Sequence, residues 1–192
     1  MSGYRGEVSE MRDRMRAGQL YIADDPELKA DNLRAQGLVE RYNATRATEP
    51  TERAAILQDL LGSCGGGVTI LPPLRVDYGQ YIHIGEGTFI NYDCILLDVA
   101  AIRIGANCQI APRVSILTAT HPVESGPRVA GWESGEPITI GDNVWLGAGV
   151  LVLPGVSIGD DSVIGAGAVV TKDIPAGVVA VGNPARVVRD LV

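Results

Sequence analysis

Two histidines and three cysteines are the side chains in this sequence from which chemistry at neutral pH would start. His121, in the stretch TATHPV, could accept a proton from a reacting group, because imidazole gains and loses a proton close to neutral pH. The alternative is that His121 only marks the end of a structural repeat. Cys64, Cys94 and Cys108 lack metal-ligand spacing, and two histidines are too few for a three-histidine zinc enzyme, so no metal site is predicted.

The composition is that of a globular protein. The chain has 192 residues, of which 46% are apolar, and this is enough for one domain with a sizeable core and a small appendage. A net charge of -7 argues against a nucleic-acid partner. No window approaches the roughly 20 apolar residues of a membrane span, and the first residues are charged, so we expect a cytoplasmic protein without a membrane partner.

Residues 1–62 are predicted to form a helical segment. Between Pro26 and Tyr42 apolar residues recur with helical spacing, and Asp24 or Asp25 is placed to cap this helix. A second helix is predicted from about Thr51 to Leu61, with Gly62 ending it.

From about residue 68 onward, an apolar residue recurs every six positions, often followed by glycine. This period predicts short strands joined by tight corners, three of which close one coil of a parallel β-helix, here over residues 68–183. A β-sandwich, the alternative, would show two-residue alternation instead. The residues of the six-residue frame are Ile84, Ile90, Leu96, Ile104, Ile110, Ile116, Ile140, Leu146, Val152, Ile158, Ile164 and Val170.

The period is interrupted by residues 122–139, which are rich in glycine, proline and charge. His121 is the last residue before this interruption. We predict a loop extruded from the solenoid, and loops of this length in compact domains are usually functional or disordered. Residues 184–192 are predicted to form a basic C-terminal tail.

Several segments together resemble the maltose and galactoside O-acetyltransferase family of hexapeptide-repeat enzymes, and most closely its maltose type. They are RAGQLY, LRAQGLVERYN, DYGQYIHIG, NYDCILLDV, TATHPV, ITIGDNVWLGAGVLVLPGVSIGD, VVTKDIP and VGNPARVVR. The resemblance implies a left-handed parallel β-helix that forms a homotrimer. It further implies that acetyl-CoA, as co-substrate, meets a sugar acceptor in a cleft between subunits.

The family's catalytic residues have counterparts here. His121 matches the catalytic histidine, which implies direct acetyl transfer with a histidine general base. Asn91 in NYDC matches an asparagine at the acceptor site, although a corner asparagine that tolerates unusual backbone angles is the alternative. Cys94 and Cys108 fall at positions expected to be packed inside the coil, which disfavours a covalent route through cysteine. His83 is predicted to be a surface or interface residue.

Three carboxylates are candidates for binding the acceptor, since each can accept hydrogen bonds from two sugar hydroxyls. Asp77 aligns with an acceptor-binding position, and Asp24 lies near another, with a helix cap as its competing role. Glu133, in the predicted loop, could reach His121 or the substrate, or be merely solvated. The galactoside type has a further aspartate where this chain has Val99, one residue after Asp98, which argues against a galactoside acceptor.

The resemblance also assigns residues to acetyl-CoA. An aromatic face would pack on the pantetheine arm or on another subunit, small residues would line a groove, and basic residues would meet the phosphates. For the basic residues, solvated charge is the alternative. These residues are Trp145, Ala148, Ala166, Thr171, Lys172, Arg186 and Arg189. Two other functions remain open: acetyl transfer to a non-sugar hydroxyl, such as that of an antibiotic, and a catalytically silent scaffold.

Overall fold

The computed structural model describes residues 10–191. Residues 1–9 and 192, at the outer ends of the predicted helical segment and basic tail, lie outside the described residues. The helices of the described part are α1 (Glu10–Arg16), α2 (Pro26–Asn43), α3 (Pro50–Leu60) and α4 (Ser125–Val129). No helix in residues 10–191 is both long enough and apolar enough to span a membrane.

The remaining elements of the described part are short β-strands. They are β1 (Tyr21–Ile22), β2 (Ser63–Cys64), β3 (Thr69–Ile70), β4 (Leu74–Val76), β5 (Ile82–Ile84), β6 (Phe89–Ile90), β7 (Cys94–Leu97), β8 (Ile102–Ile104), β9 (Gln109–Ile110), β10 (Ser115–Leu117), β11 (Ala119–Thr120), β12 (Trp132–Gly135), β13 (Ile138–Ile140), β14 (Trp145–Leu146), β15 (Leu151–Val152), β16 (Ser157–Ile158), β17 (Val163–Ile164), β18 (Val169–Val170), β19 (Val178–Val181) and β20 (Arg186–Asp190).

Most of these strands stack into three sheets that run along a parallel β-solenoid of about six turns. Sheet 1 has the order β4-β7-β10-β15-β18, and sheet 2 the order β2-β5-β8-β13-β16. Sheet 3 has the order β3-β6-β9-β14-β17-β19, and β20 adds to its end antiparallel to β19. The predicted β-helix is confirmed. Its first strand is β2, so the solenoid begins before residue 68.

The six-residue frame forms the core of the solenoid. All twelve of its residues are buried, none with more than 3% of its surface exposed. Burying an aliphatic side chain of this size contributes about 1.5–3 kcal/mol, which explains why the period dominates the sequence. Cys94 and Cys108 are fully buried inside the coil, as predicted, and burial raises the pKa of both thiols.

The corners need special residues for two reasons. At Gly147 an added Cβ would lie 2.6 Å from the backbone nitrogen of Ala166 in the next coil, so only glycine lets the coils approach this closely. Two residues further on, Gly149 has a φ of +69°, in the left-handed region. The same corner position six residues earlier is Asn143, at a φ of +54°, a conformation that asparagine tolerates.

Helix α2 covers the open end of the solenoid at its first coil. Asp25, and not Asp24, caps it by accepting hydrogen bonds from the backbone N–H groups of residues 27 and 28. The Asn43 amide donates to the carbonyl of Leu74 (3.0 Å) and accepts from its N–H (2.8 Å). The Tyr42 hydroxyl donates to the carbonyl of Ile70. Polar side chains of the helix thus satisfy main-chain groups of the outermost coil that have no further strand to pair with.

The segment predicted as a loop, residues 122–139, has a regular structure of its own. It contains α4 and β12, and its last two residues belong to β13 in the solenoid. Strand β12 lies between β1 and β11 in a small antiparallel sheet, which satisfies its backbone groups. Within the predicted C-terminal tail, Arg186–Asp190 form strand β20.

Candidate active site

A cavity of about 630 Å³ opens where α2, the first coils and the β1-β12-β11 sheet meet. His121, Asp77 and Glu133, three residues predicted from sequence to act on the substrate, all line it. The other lining residues are Ala23, Leu28, Lys29, Asn32, Leu33, Tyr78, Leu97, Val99 and Ala119. One chain therefore assembles a histidine and two carboxylates around a space large enough for a sugar.

His121 faces Glu133 across a pair of antiparallel strands. The pairing of Ala119 with Gly135 and of Thr120 with Ser134 places the next two residues, His121 and Glu133, opposite one another. Their Nε2 and Oε2 atoms lie 3.7 Å apart, with 55% and 19% of the respective side chains exposed. Glu133 can therefore stabilise a positive charge that develops on the imidazole.

Tyr21 lies on the other side of Glu133. Strand β1 pairs Tyr21 directly with Glu133, and the tyrosine is fully buried. Burial and the neighbouring carboxylate both raise the pKa of the Tyr21 phenol, so the ring stays neutral. The N-terminal segment thereby fixes the strand that carries Glu133, a contribution that helical periodicity in the sequence does not reveal.

Asp77 presents a half-buried carboxylate to the cavity. Its backbone carbonyl accepts a hydrogen bond from the Asn32 amide of α2 (3.0 Å). Burial, with a smaller contribution from Glu133, raises the pKa of Asp77. In residues 10–191 no cation or hydrogen-bond donor pairs with this carboxylate, which leaves it free to accept hydrogen bonds from a ligand.

Asp98 has a structural role. Its side chain is completely buried and accepts hydrogen bonds from the backbone N–H groups of Asp77 (3.0 Å), Tyr78 (2.9 Å) and Tyr81 (3.2 Å). Burial raises the pKa of Asp98 to about 6, while these N–H groups oppose the rise. Asp98 therefore holds the corner that presents Asp77, whereas Val99 lines the cavity.

Asp24 does not line the cavity. It is exposed and forms an ion pair with Lys29, which does line it, as does Ala23. Sequence analysis missed Lys29 and Asn32. Helical spacing identified the buried face of α2, but these polar residues lie beside that face, and only the packing of the helix against the first coil directs them to the cavity.

Asn91 lies apart from His121 in the single chain. It lines a separate depression of about 150 Å³ on sheet 3, together with Phe89, Gln109 and Trp145. Trp145 is 54% exposed there. Asn91 is not among the residues with a positive φ, so its backbone does not require an asparagine.

The residues predicted to bind acetyl-CoA lie towards the C-terminal coils. Ala148 and Ala166 are exposed at equivalent corners of successive coils, linked by a hydrogen bond from the Gly167 N–H to the Ala148 carbonyl (2.8 Å). The four predicted polar and basic residues are all exposed: Thr171 and Lys172 follow β18, and Arg186 and Arg189 lie on β20. No group of three or more His, Cys, Asp or Glu side chains within residues 10–191 could hold a metal ion.

Two family models match the chain. The maltose acetyltransferase hexapeptide capping motif matches residues 14–65, which include α2, α3 and the first strand of the solenoid. The bacterial transferase hexapeptide model, of six repeats, matches residues 137–172. The capping function seen for α2 agrees with the first description.

Similar proteins cover nearly the whole chain. Nodulation protein L of Rhizobium meliloti (strain 1021) is 47% identical over 176 residues, which is 92% of this chain and 96% of that protein. The crystal structure of a maltose O-acetyltransferase from Clostridium difficile 630 has a TM-score of 0.95 and 46% identity, covering 97% of this chain and 100% of that one. The structure of a galactoside acetyltransferase in complex with coenzyme A has a TM-score of 0.92 and 39% identity. The match covers 96% of this chain and 92% of that one.

Proposed function

Because this chain belongs to the maltose and galactoside O-acetyltransferase family, we propose that it transfers the acetyl group of acetyl-CoA to a hydroxyl of a maltose- or glucose-like sugar. The observation that carries this proposal is the cavity in which His121, Glu133 and Asp77 converge. A base, its counter-charge and a free acceptor of hydrogen bonds are the groups that this reaction needs.

His121 acts as the general base. Its imidazole removes the proton of the sugar hydroxyl as that oxygen attacks the thioester carbonyl carbon. The carbon–sulfur bond then breaks, and the CoA thiolate leaves with the proton that the imidazole carried. Glu133, 3.7 Å from the ring, stabilises the imidazolium between these two proton transfers. No acyl-enzyme is formed, and the burial of Cys94 and Cys108 agrees with this.

The acceptor sugar is held by carboxylates. The carboxylate of Asp77 has no partner in the described part of the chain, so its two oxygens are available to neighbouring sugar hydroxyls. Glu133 can share this role, and Asn91 holds or polarises the reacting groups. Asp24, exposed beside the cavity, contributes indirectly at most, through its ion pair with Lys29.

The catalytic unit is a homotrimer. Asn91 and His121 lie in separate depressions of one chain, and a cleft between two subunits would bring the two faces together. Exposed apolar side chains support association: Trp145 is 54% exposed on sheet 3 and Ile95 is 37% exposed on sheet 1. The half-buried Phe89 lies in the same outer row as Trp145, on the other side of Gln109.

Acetyl-CoA lies along the C-terminal coils. Trp145 packs against the pantetheine arm, and Ala148 and Ala166 let the cofactor approach the backbone. Arg186, Arg189 and the Thr171–Lys172 pair bind the phosphates. The similarity to a galactoside acetyltransferase in complex with coenzyme A supports this assignment.

The test is release of free CoA thiol from acetyl-CoA with maltose, glucose, a thiogalactoside and chloramphenicol as acceptors. We expect release that depends on maltose or glucose and falls about 100- to 10,000-fold in His121→Ala, with acetyl-CoA binding retained. Release with chloramphenicol alone would point to a non-sugar acceptor. Equal rates in the native protein and in the variant would contradict the role of His121.

A further inference from the structure

A second groove, of about 770 Å³, lies on the outer face of sheet 2 beneath the end of α1. It shares only Val99 with the cavity around His121. Its polar lining consists of side chains that can donate hydrogen bonds: Arg16, Gln80, Tyr81, His83, Arg103 and Thr139. The proposed acetyl transfer uses none of these residues.

The lining of the groove carries positive charge, and Asp31, whose carboxylate contacts this lining, is hydrogen-bonded to Gln80 and ion-paired with Arg12. The lining itself contains no Asp or Glu, although the chain as a whole carries a net charge of -7. Neither Arg16 nor Arg103 forms an ion pair within residues 10–191. Two arginines that line one concave surface, neither of them paired with a carboxylate, favour the binding of an anion there.

His83, the histidine of the groove, contacts Ser63 and is affected by the positive charge of Arg103. His83 pairs with Arg103 across neighbouring strands of sheet 2, and its Nδ1 lies 3.0 Å from the hydroxyl oxygen of Ser63. Burial and the positive charge of Arg103 lower the pKa of His83. An anion bound between the arginines would act in the opposite direction.

The outward-facing side chains of sheet 2 also differ in polarity from those of sheets 1 and 3. Its outer row is polar throughout, whereas sheet 3 presents Phe89, Trp145 and Val163 and sheet 1 presents Ile95 and Leu151. The outer row of sheet 2 therefore lacks the apolar and aromatic side chains that form the core of a typical subunit interface. The outer row of sheet 2 consists of Ser63, His83, Arg103, Thr139 and Ser157.

We propose that this groove binds the phosphate group of a small phosphorylated molecule. Two guanidinium groups match a dianion and can each give it two parallel hydrogen bonds. Ala100, Ala101 and Pro137 form an apolar wall against which the body of the ligand packs. The volume of the groove exceeds that of a bare phosphate ion, so an ester of sugar size fits better than the free ion.

The two histidines of the chain provide a direct test by NMR. Their Cε1–H signals, assigned with His83→Gln and His121→Ala, are titrated with pH in the presence of inorganic phosphate, glucose 6-phosphate, or chloride at matched ionic strength. We expect both phosphate compounds, and glucose 6-phosphate at lower concentration, to raise the midpoint of His83 relative to chloride. With inorganic phosphate, which lacks the sugar that the other cavity would accept, the midpoint of His121 should stay unchanged.

Arg103→Gln should abolish the effect of phosphate on His83, whereas Arg75→Gln, an exposed arginine on sheet 1, should preserve it. If phosphate and chloride shift the midpoint of His83 equally, the shift is due to ionic screening and the proposal is overturned. The same holds if phosphate shifts this midpoint equally in Arg103→Gln and Arg75→Gln. A response confined to His121 would place the phosphate in the other cavity and overturn the proposal as well. Because the readout is binding in the absence of acetyl-CoA, the result is independent of the proposed acetyl transfer.

Discussion

Glu133 lies opposite His121 across the β11-β12 strand pair, with Oε2 and Nε2 3.7 Å apart. The two residues are separated in sequence by the whole of α4 and its flanking turns. Only the return of the chain in β12 brings a carboxylate to the imidazole. This relationship provides the first prediction.

Glu133→Gln should lower kcat by a modest factor. The carboxylate stabilises the imidazolium, but more than half of the His121 side chain is exposed, and an ion pair in such a setting contributes about 1 kcal/mol at most, or about fivefold in rate. The measurement is steady-state CoA release, with Glu136→Gln, an exposed glutamate of the same segment, as control. An unchanged kcat would contradict the stabilising role.

Subunits carrying different defects should complement one another. If the active site forms between subunits, His121→Ala and Asn91→Ala chains that are inactive alone should form mixed trimers containing one site with both native residues. The measurement is CoA release by co-expressed, differently tagged chains after purification through both tags. Mixed trimers no more active than the separate variants would show that the two residues do not act across an interface.

Lys172→Ala should raise the KM for acetyl-CoA about tenfold and leave kcat nearly unchanged, because a charge-assisted hydrogen bond to a phosphate contributes about 1.5–3 kcal/mol before screening. Arg75→Ala, an equally exposed cation on sheet 1, should leave both constants unchanged. Similar increases in the KM for acetyl-CoA in both variants would indicate a general effect of net charge and contradict the phosphate contact.

The stability of the protein should depend on pH through Asp98. The folded protein raises the pKa of this carboxyl from 3.8 to about 6, so the folded state binds the proton more tightly than the unfolded chain. The Asp98 contribution to the free energy of unfolding is therefore highest below about pH 4 and decreases as the pH rises to about 6.

Asp98→Asn should remove this part of the pH dependence. It should also destabilise the protein by about 1–3 kcal/mol, because an amide cannot accept from all three backbone N–H groups. Urea unfolding between pH 4 and 8 measures both effects, and Asp93→Asn, at an exposed corner, is the control. The same slope in native and Asp98→Asn proteins would contradict the assignment.

Asn43→Ala should destabilise the capped end of the solenoid. It removes both hydrogen bonds to the backbone of Leu74, whose side chain is fully buried, and leaves those groups unsatisfied. We expect a loss of about 1–3 kcal/mol in the free energy of unfolding, measured with urea. Glu40→Ala, exposed on the same helix, should have little effect; a similar loss there would show that truncating any side chain of α2 destabilises the protein, whether or not it bonds to Leu74.

The six-residue frame was readable from sequence because every coil repeats the same local requirement. Each inward position, such as Ile110 or Leu146, must be aliphatic whatever surrounds the solenoid, and each crowded corner, such as Gly147, must lack a Cβ. Helix α2 was equally predictable, since its buried face follows from 3.6-residue periodicity. The motif around His121 was informative for the same reason: a break in a regular pattern is visible without any tertiary structure.

The sequence by itself therefore determined the β-helix and the helical cap, and it named the residues proposed to carry the chemistry. Only the tertiary structure decided which of them meet. Strand β12 is fixed by pairing with β1, which is distant in sequence, as well as with the nearby β11, and local spacing therefore could not place its Glu133 beside His121. The choice between Asp24 and Asp25 as helix cap is local, since the cap accepts from the N–H groups of residues 27 and 28. The burial of Asp98 beneath Asp77, in contrast, depends on a contact between distant segments, which local spacing does not encode.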